Sequence, residues 1–250
     1  MDGVLVHGRR PIAGAAAFLD RLRAAGSPFL LLTNNSIFTP GDLSHRLRSS
    51  GLEVDKSRIF TSAMATAAFL RSQSPSGGTA FVIGESGLTS VLHAAGFTLA
   101  DSGVEYVVLG EQQSYHLDTI TRGIQLIAAG AHFIATNPDA SFPRDTGLAP
   151  ACGAMAALME TASGVAPFFI GKPNPLMMRT ALNHLGVHSE DAIMIGDNMA
   201  TDIIAGVQAG METILVLSGV TSRAQVARHA YQPSHIAESV ADLPLGWQGP

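Results

Sequence analysis

Ile193-Met-Ile-Gly-Asp-Asn-Met-Ala-Thr-Asp202 is a short apolar run that ends at a glycine and turns polar, with two acids five positions apart. Ile193 to Ile195 reads as a buried strand, and Thr201 to Ala209 as the helix after it. A strand feeding a helix, with polar residues at the joint, is the repeating unit of a parallel sheet, whose ligands gather at the carboxyl ends of the strands. The same unit recurs in both directions along the chain. Towards the C-terminus, Thr213 to Leu217 is a strand. Towards the N-terminus, Phe168 to Ile170 is a strand and Leu176 to Leu185 a helix.

Earlier still, Ala15 to Ala25 is helical by composition and stops at Gly26, and Phe29 to Leu32 is a strand. Thr39-Pro-Gly-Asp42 carries the signs of a helix start, for a helix that runs to Ser50, and Ala63 to Arg71 forms another. Ser74-Pro-Ser-Gly-Gly78 is the clearest linker. Strands at 80–83, 106–109 and 132–136 then alternate with helices at 88–95 and 117–129. The polar stretch Asn137 to Pro150 reads as a long loop before a helix at 151–163. The fold class expected is therefore α/β, built on parallel sheets.

Composition excludes several classes of function. Hydrophobic residues make up 46% of the 250 and charged residues 14%, which is too apolar for a disordered chain. A net charge of −5 without a basic stripe argues against a nucleic-acid partner. No apolar run is long enough to span a bilayer, and no signal peptide is visible. The single cysteine, Cys152, rules out an internal disulfide framework, fits a reducing, cytoplasmic setting, and reads as a small core residue.

Four polar clusters fall at strand ends or their equivalent: Met1-Asp-Gly-Val4, Thr33-Asn-Asn-Ser36, Gly171-Lys-Pro173 and Gly196 to Asp202. Asp197 and Asp202 offer the hard oxygens that suit Mg²⁺, although either acid alone could simply sit at a helix N-terminus. Lys172, held between Gly and Pro, is a candidate counter-charge for phosphate. Thr33 and Asn34 offer a hydroxyl and main-chain N–H groups to an anion, or caps to a helix. Singly each residue has an ordinary structural explanation; their joint order and placement do not. A Walker loop fails at Gly164 to Lys172, where six residues instead of four separate the glycines. A zinc pair at His184 and His188 is interrupted by Gly186, and no G-x-G-x-x-G dinucleotide fingerprint occurs.

These motifs resemble those of the haloacid dehalogenase superfamily of phosphatases, in its NagD-like branch (subfamily IIA, with a type C2 cap). Met1-Asp-Gly-Val-Leu5 matches the last five positions of the first motif, D-x-D-G-V-L. Thr33 matches the second motif, Lys172 the third, and Asp197 with Asp202 the fourth. Thr61-Ser-Ala-Met-Ala-Thr66, Phe133 to Asp139, Pro150-Ala-Cys-Gly153 and Leu217-Ser-Gly-Val220 extend the resemblance over nearly the whole chain.

The resemblance implies a HAD-like Rossmannoid core with a parallel sheet and an inserted α/β cap domain. The core would take residues 1–74 and 168–250, and the cap 75–167. It implies a Mg²⁺-dependent phosphomonoester hydrolase working through an aspartyl-phosphate. The nucleophile and the strand leading to it would precede Met1, so the expectation is an early-truncated start, with a non-catalytic pseudophosphatase as the alternative. Asp2 would be the general acid/base, with Thr33, the Asn34 amide and Lys172 on the phosphoryl oxygens. The metal set would be Asp2, Asp197 and Asp202: the ion held by the nucleophile, the backbone carbonyl of Asp2 and Asp197, with Asp202 supporting it through its waters or orienting Lys172.

Substrate contacts are expected from Asn137, Asp139 and Arg144 in the cap, and from Asn198 and Thr201 in the core. A nucleoside 5′-monophosphate such as UMP is the leading substrate, with phosphoglycolate, pyridoxal phosphate and sugar phosphates as alternatives. The partner expected is a small phosphorylated metabolite, with no nucleic acid and no membrane; a homo-oligomer is left open. A receiver-type signalling module also uses acids, a Thr and a Lys, but it has no cap to separate Thr33 from Lys172.

Overall fold

The computed structural model describes residues 1–144 and 147–244. In chain order it begins with a short hairpin, β1 (Val6–His7) and β2 (Arg10–Pro11), followed by α1 (Ala15–Ala24), β3 (Leu31–Thr33), α2 (Pro40–Ser49) and β4 (Ile59–Thr61). Next come α3 (Ser62–Gln73), β5 (Gly78–Ile83), α4 (Ser86–Ala94), β6 (Phe97–Leu99), β7 (Tyr106–Leu109), α5 (Leu117–Ala128) and β8 (His132–Ala135). A second hairpin, β9 (Ser141–Arg144) and β10 (Gly147–Pro150), leads to α6 (Cys152–Ser163) and β11 (Phe168–Phe169). The chain continues with α7 (Pro175–Leu185), β12 (Ile193–Gly196), α8 (Ile204–Gln208), β13 (Glu212–Val216), α9 (Arg223–Val226) and β14 (His235–Ala237). No helix among the described residues is long and apolar enough to cross a membrane.

These elements form two compact units. The first contains Met1–Thr33, Pro40–Phe60 and the described residues from Lys172 onward; the second contains Asn34–Thr39 and Thr61–Gly171. α3 and the segment after Thr33 therefore group with the inserted unit.

In the first unit, β12, β13 and β14 form a parallel sheet in that order. β3 pairs with β4 in a separate sheet. β3 and β12 both line a cavity of about 410 Å³, together with Leu19 of α1 and Met178 of α7. Its walls are mostly aliphatic, and Met1, Lys172 and Asp202 also border it. The local signals that build α7 are plain. Asn174 accepts the Leu176 N–H at 2.9 Å, Pro175 takes the first turn, and Gly186 at φ 71° stops the helix.

The second unit is a five-stranded parallel sheet in the order β11-β8-β7-β5-β6. α5 buries Ile120, Gly123, Leu126 and Ile127, a stripe at helical spacing, against the cluster that holds Ile83, Leu109, Cys152 and Met159. The central strand of this sheet is apolar on both faces, as a covered parallel strand requires: Tyr106 to Leu109 are buried without a break.

Several sequence expectations change. Residues 137–150 are not one long loop, because β9 and β10 pair antiparallel from Ser141↔Pro150 to Arg144↔Gly147. A proline in each strand hid them, since prolines demote a run to an edge. Phe168 and Phe169 pair with Ile134 and Ala135, so this strand closes the inserted sheet and does not begin the last block. The strand expected at 29–32 lies at Leu31–Thr33, which makes Thr33 its last residue. The helix expected from Thr201 opens with a wide π turn at Met199–Ile203 before α8.

The inserted core is dense enough to make a simple stability forecast. Leu109 is fully buried among aliphatic and aromatic neighbours. Leu109→Ala should cost about 2–5 kcal/mol in a urea unfolding experiment, from lost burial plus the cavity left behind.

Candidate active site

The π turn explains the first half of the site. Asp202 N–H and Ile203 N–H both reach the Asn198 carbonyl, at 2.9 and 3.2 Å. This widened turn aims the Asp202 carboxylate back at the end of β12, where Oδ2 accepts the N–H groups of Asp197 at 3.1 Å and Asn198 at 3.2 Å. A side chain at Gly196 would overlap the Asp202 Cβ, so the strand must end in glycine. The other Asp202 oxygen accepts from Lys172 Nζ at 2.6 Å. Both partners are nearly out of water, Lys172 at 7% exposure and Asp202 at 4%.

Asp197 lies in the same pocket of charge. Its Oδ2 accepts the Val220 N–H at 2.9 Å, its carbonyl accepts the Thr221 N–H at 3.0 Å, and the Thr221 hydroxyl accepts the Met199 N–H at 3.1 Å. Gly3 and Gly219 press on the Asp197 carboxylate so closely that a Cβ at either would overlap it. Gly3 also has φ +70°, a conformation that L side chains rarely adopt. Ser218 Oγ bonds the Gly3 carbonyl at 2.8 Å and ties the two glycine segments together.

The charges interact strongly. Burial, then the negative charge of Asp202, pushes the Asp197 carboxyl above its ordinary range. Burial would raise Asp202 as well, but the charge of Lys172 and the hydrogen bonds from Lys172 and the Asp197 N–H hold it below the ordinary carboxylate range.

The other predicted residues have mixed placements. Asp2 is exposed, and its carboxylate accepts the N–H groups of Gly3 at 3.0 Å and, from the turn of the first hairpin, Gly8 at 3.4 Å. Among the described residues no group of three or more His, Cys, Asp or Glu is placed to hold a metal ion. Thr33 closes β3 in the same unit. Asn198 caps the π turn by accepting the Ala200 N–H at 2.9 Å, and Thr201 lies within that turn.

In the second unit Asn34, Asn137 and Asp139 come together. Asn34 Nδ2 donates to Asp139 Oδ2 at 3.0 Å, and Asn137 Nδ2 donates to the Asn34 carbonyl at 2.9 Å. Arg144 ends β9, and its side chain lies outside the described residues.

Sequence reading missed Glu111, and it quoted Ser36 and Ser62 only within longer stretches, with no role assigned to either. Ser36 N–H donates to Glu111 Oε2 at 3.3 Å, and Glu111 N–H donates to Ser36 Oγ at 2.8 Å. Burial pushes the Glu111 carboxyl up to about 7, and the charge of Asp139 adds to the shift; bonds from Ser36 and Asn137 oppose it. Glu111 is the second residue after β7, as Gly110-Glu111, and a strand-end position is the one signal that could have flagged it.

Comparison with known proteins gives this geometry a family. Residues 1–98 match the Haloacid dehalogenase-like hydrolase family, and residues 169–243 match a HAD-hydrolase-like family. The chain is 52% identical over 250 residues to dihydroxyacetone phosphatase of Corynebacterium glutamicum (strain R), covering all of this chain and 90% of that protein. It is 46% identical over 243 residues to ribonucleotide monophosphatase NagD of Escherichia coli (strain K12), covering 97% and 95%.

This chain belongs to the NagD-like phosphatases of the haloacid dehalogenase superfamily. The solved structure of NagD from the E. coli K-12 strain superposes with a TM-score of 0.92, at 46% identity over 98% of this chain and 96% of that one. As the family implies, the chain is a phosphoric monoester hydrolase with a mixed α/β, HAD-like fold.

Two outcomes follow from the charges. Asp202→Asn leaves Lys172 buried without its carboxylate and should destabilise the protein by about 3–5 kcal/mol at pH 7. A depressed acid contributes stability above its ordinary value of 3.8 and loses it as pH falls through the lower folded value, so the penalty should shrink in acid; urea titrations at several pH values check this.

Glu111 has the opposite sign. Its ordinary value is 4.5 and its folded value about 7, so its ionisation opposes folding increasingly between those limits. Glu111→Gln should therefore be neutral near pH 4 and stabilise by up to roughly 3 kcal/mol at pH 8, read from the same titrations.

Proposed function

We propose that this phosphatase removes phosphate from small metabolites by way of an aspartyl-phosphate. The observation that carries this reading is the buried Lys172–Asp202 pair beside Asp197, at the carboxyl end of β12. Lys172 is held rigidly, so its positive charge needs no reorganisation to meet a phosphoryl oxygen. Thr33 and the Asn34 N–H are its partners in that role, at the end of β3. The position of the family's nucleophile falls directly before Met1, and Asp2 takes the position of the acid/base that protonates the leaving oxygen and then activates water.

The donor chemistry around Asp197 suits Mg²⁺. It is a buried carboxylate next to a second one, raised above its ordinary range by burial and by that neighbour's charge. Nearby cationic charge is the natural remedy. Asp197 would hold the ion, with the Asp2 carbonyl as a further oxygen; Asp202 serves by fixing Lys172. When bound, Mg²⁺ supplies positive charge to the phosphoryl oxygens.

Two substrate classes are supported. The full-length relative that is 52% identical carries the name dihydroxyacetone phosphatase, which favours a triose phosphate. The relative at 46% is named ribonucleotide monophosphatase, which favours a nucleoside 5′-monophosphate such as UMP. Selection between them is assigned to the second unit, with the 137–150 segment as the reading element. We also assign the protein to the cytoplasm, in keeping with its lone thiol.

The test is hydrolysis of p-nitrophenyl phosphate, dihydroxyacetone phosphate and UMP, with and without EDTA. It uses the 250-residue chain and a form extended before Met1 by an apolar strand ending in Asp. Turnover that EDTA abolishes, and that Lys172→Ala lowers at least tenfold, is expected. Turnover indifferent to the chelator would remove the metal, and turnover indifferent to Lys172 would remove the site.

A further inference from the structure

The chain passes between its two units at four peptide bonds: Thr33–Asn34, Thr39–Pro40, Phe60–Thr61 and Gly171–Lys172. A single buried knot in the second unit gathers the chain at three of them. The Asn34 carbonyl accepts from Ser62 Oγ at 2.6 Å and from Asn137 Nδ2 at 2.9 Å. Asn137 Oδ1 accepts the Asp139 N–H at 3.1 Å, and the Asp139 carboxylate accepts from Asn34 Nδ2 at 3.0 Å, which closes a ring. Gly171 packs directly on it. A Cβ there would lie 2.5 Å from the Thr136 carbonyl oxygen, 2.8 Å from Asn34 Oδ1 and 3.1 Å from the Asn137 Cβ. The Gly171 N–H bonds that same Thr136 carbonyl at 2.8 Å.

Asn137 is fully buried, and both polar atoms of its side chain are engaged by the protein. Ser62 is fully buried too. Groups so placed do not meet a leaving group that changes from one substrate to the next. They do fix the peptide plane that follows Asn34 and the residue that precedes Lys172.

We propose that the knot of Asn34, Ser62, Asn137 and Asp139, with Gly171 packed on it, is a positioning device for phosphate binding: it holds the main chain next to Thr33 and Lys172 instead of reading the substrate. This rests on the phosphatase reading above and reassigns Asn137 and Asp139 within it. Asn137 and Ser62 are positioning residues, because they act through the Asn34 peptide.

A positioning residue and a substrate-reading residue leave different kinetic marks. Loss of positioning lowers kcat by a common factor for every phosphate ester, whereas loss of a leaving-group contact changes their ranking. Asn137→Ala should lower kcat about 10- to 100-fold, equally for p-nitrophenyl phosphate, dihydroxyacetone phosphate and UMP, in whichever form of the protein turns them over. Ser62→Ala removes one hydroxyl at a helix start and should give a smaller loss, about 3- to 10-fold, with the same uniformity. It decides the matter if Asn137→Ala does not fold. A changed ranking, or an unchanged kcat, would overturn the proposal.

Amide hydrogen exchange and inorganic phosphate binding by the 250-residue chain provide a second readout that needs no turnover. Asn137→Ala should speed exchange at residues 34–36 and 171–172 and weaken phosphate binding about tenfold. If no form hydrolyses any ester, the phosphatase reading fails, and these two measurements alone judge the knot. Unchanged exchange and unchanged phosphate binding would then overturn it.

Discussion

A lysine ammonium and an aspartate carboxylate 2.6 Å apart, both almost wholly removed from water, govern the first unit. Such a pair contributes little net stability, because the cost of desolvating two charges offsets most of their attraction. Its worth lies in being fixed. Once Asp202 is committed to Lys172 and to the N–H groups of Asp197 and Asn198, the end of β12 has one arrangement. That commitment dictates the other local features. The helix must open with a π turn, Gly196 must lack a side chain, and Asp197 is left to face Gly3 and Gly219.

Much of this was legible in the sequence because chemistry and secondary structure share a register. Asp197 and Asp202 stand out since an apolar run ends just before them, and Lys172 since it sits between a glycine and a proline. The alternation of strands and helices announced parallel sheets for the same reason. What stayed hidden depends on contacts far apart in the chain. Glu111 and Ser36 are 75 residues apart, and no local pattern links them. The Gly219–Asp197 approach and the Ser62–Asn34 bond are equally non-local. The hairpin at 141–150 escaped because prolines suppress the alternation by which a strand is recognised, and Phe168–Phe169 because a two-residue strand carries no record of its neighbour.

The two units solve different problems with similar parts. The first concentrates charge at the end of a small sheet and keeps that charge rigid. The second is a broader parallel sheet whose polar residues at the strand ends, Thr136, Asn137 and Glu111 among them, are turned mostly on the protein itself. Relatives that match this chain over nearly its whole length bear the names dihydroxyacetone phosphatase and ribonucleotide monophosphatase. A scaffold that serves unlike leaving groups is expected to keep its internal fastenings separate from the surfaces that meet them.

Cys152 is the only thiol in the chain, and it begins α6 inside the core of the second unit with no exposed surface. Burial pushes it up to about 11, so in the closed protein it is neither ionised nor reachable. A thiol reagent can therefore react only when that core opens, and its rate of incorporation measures the opening of this unit and no other. The molecule thus contains its own clock for motion in the second unit, one that a thiol reagent reads without any substitution in the chain.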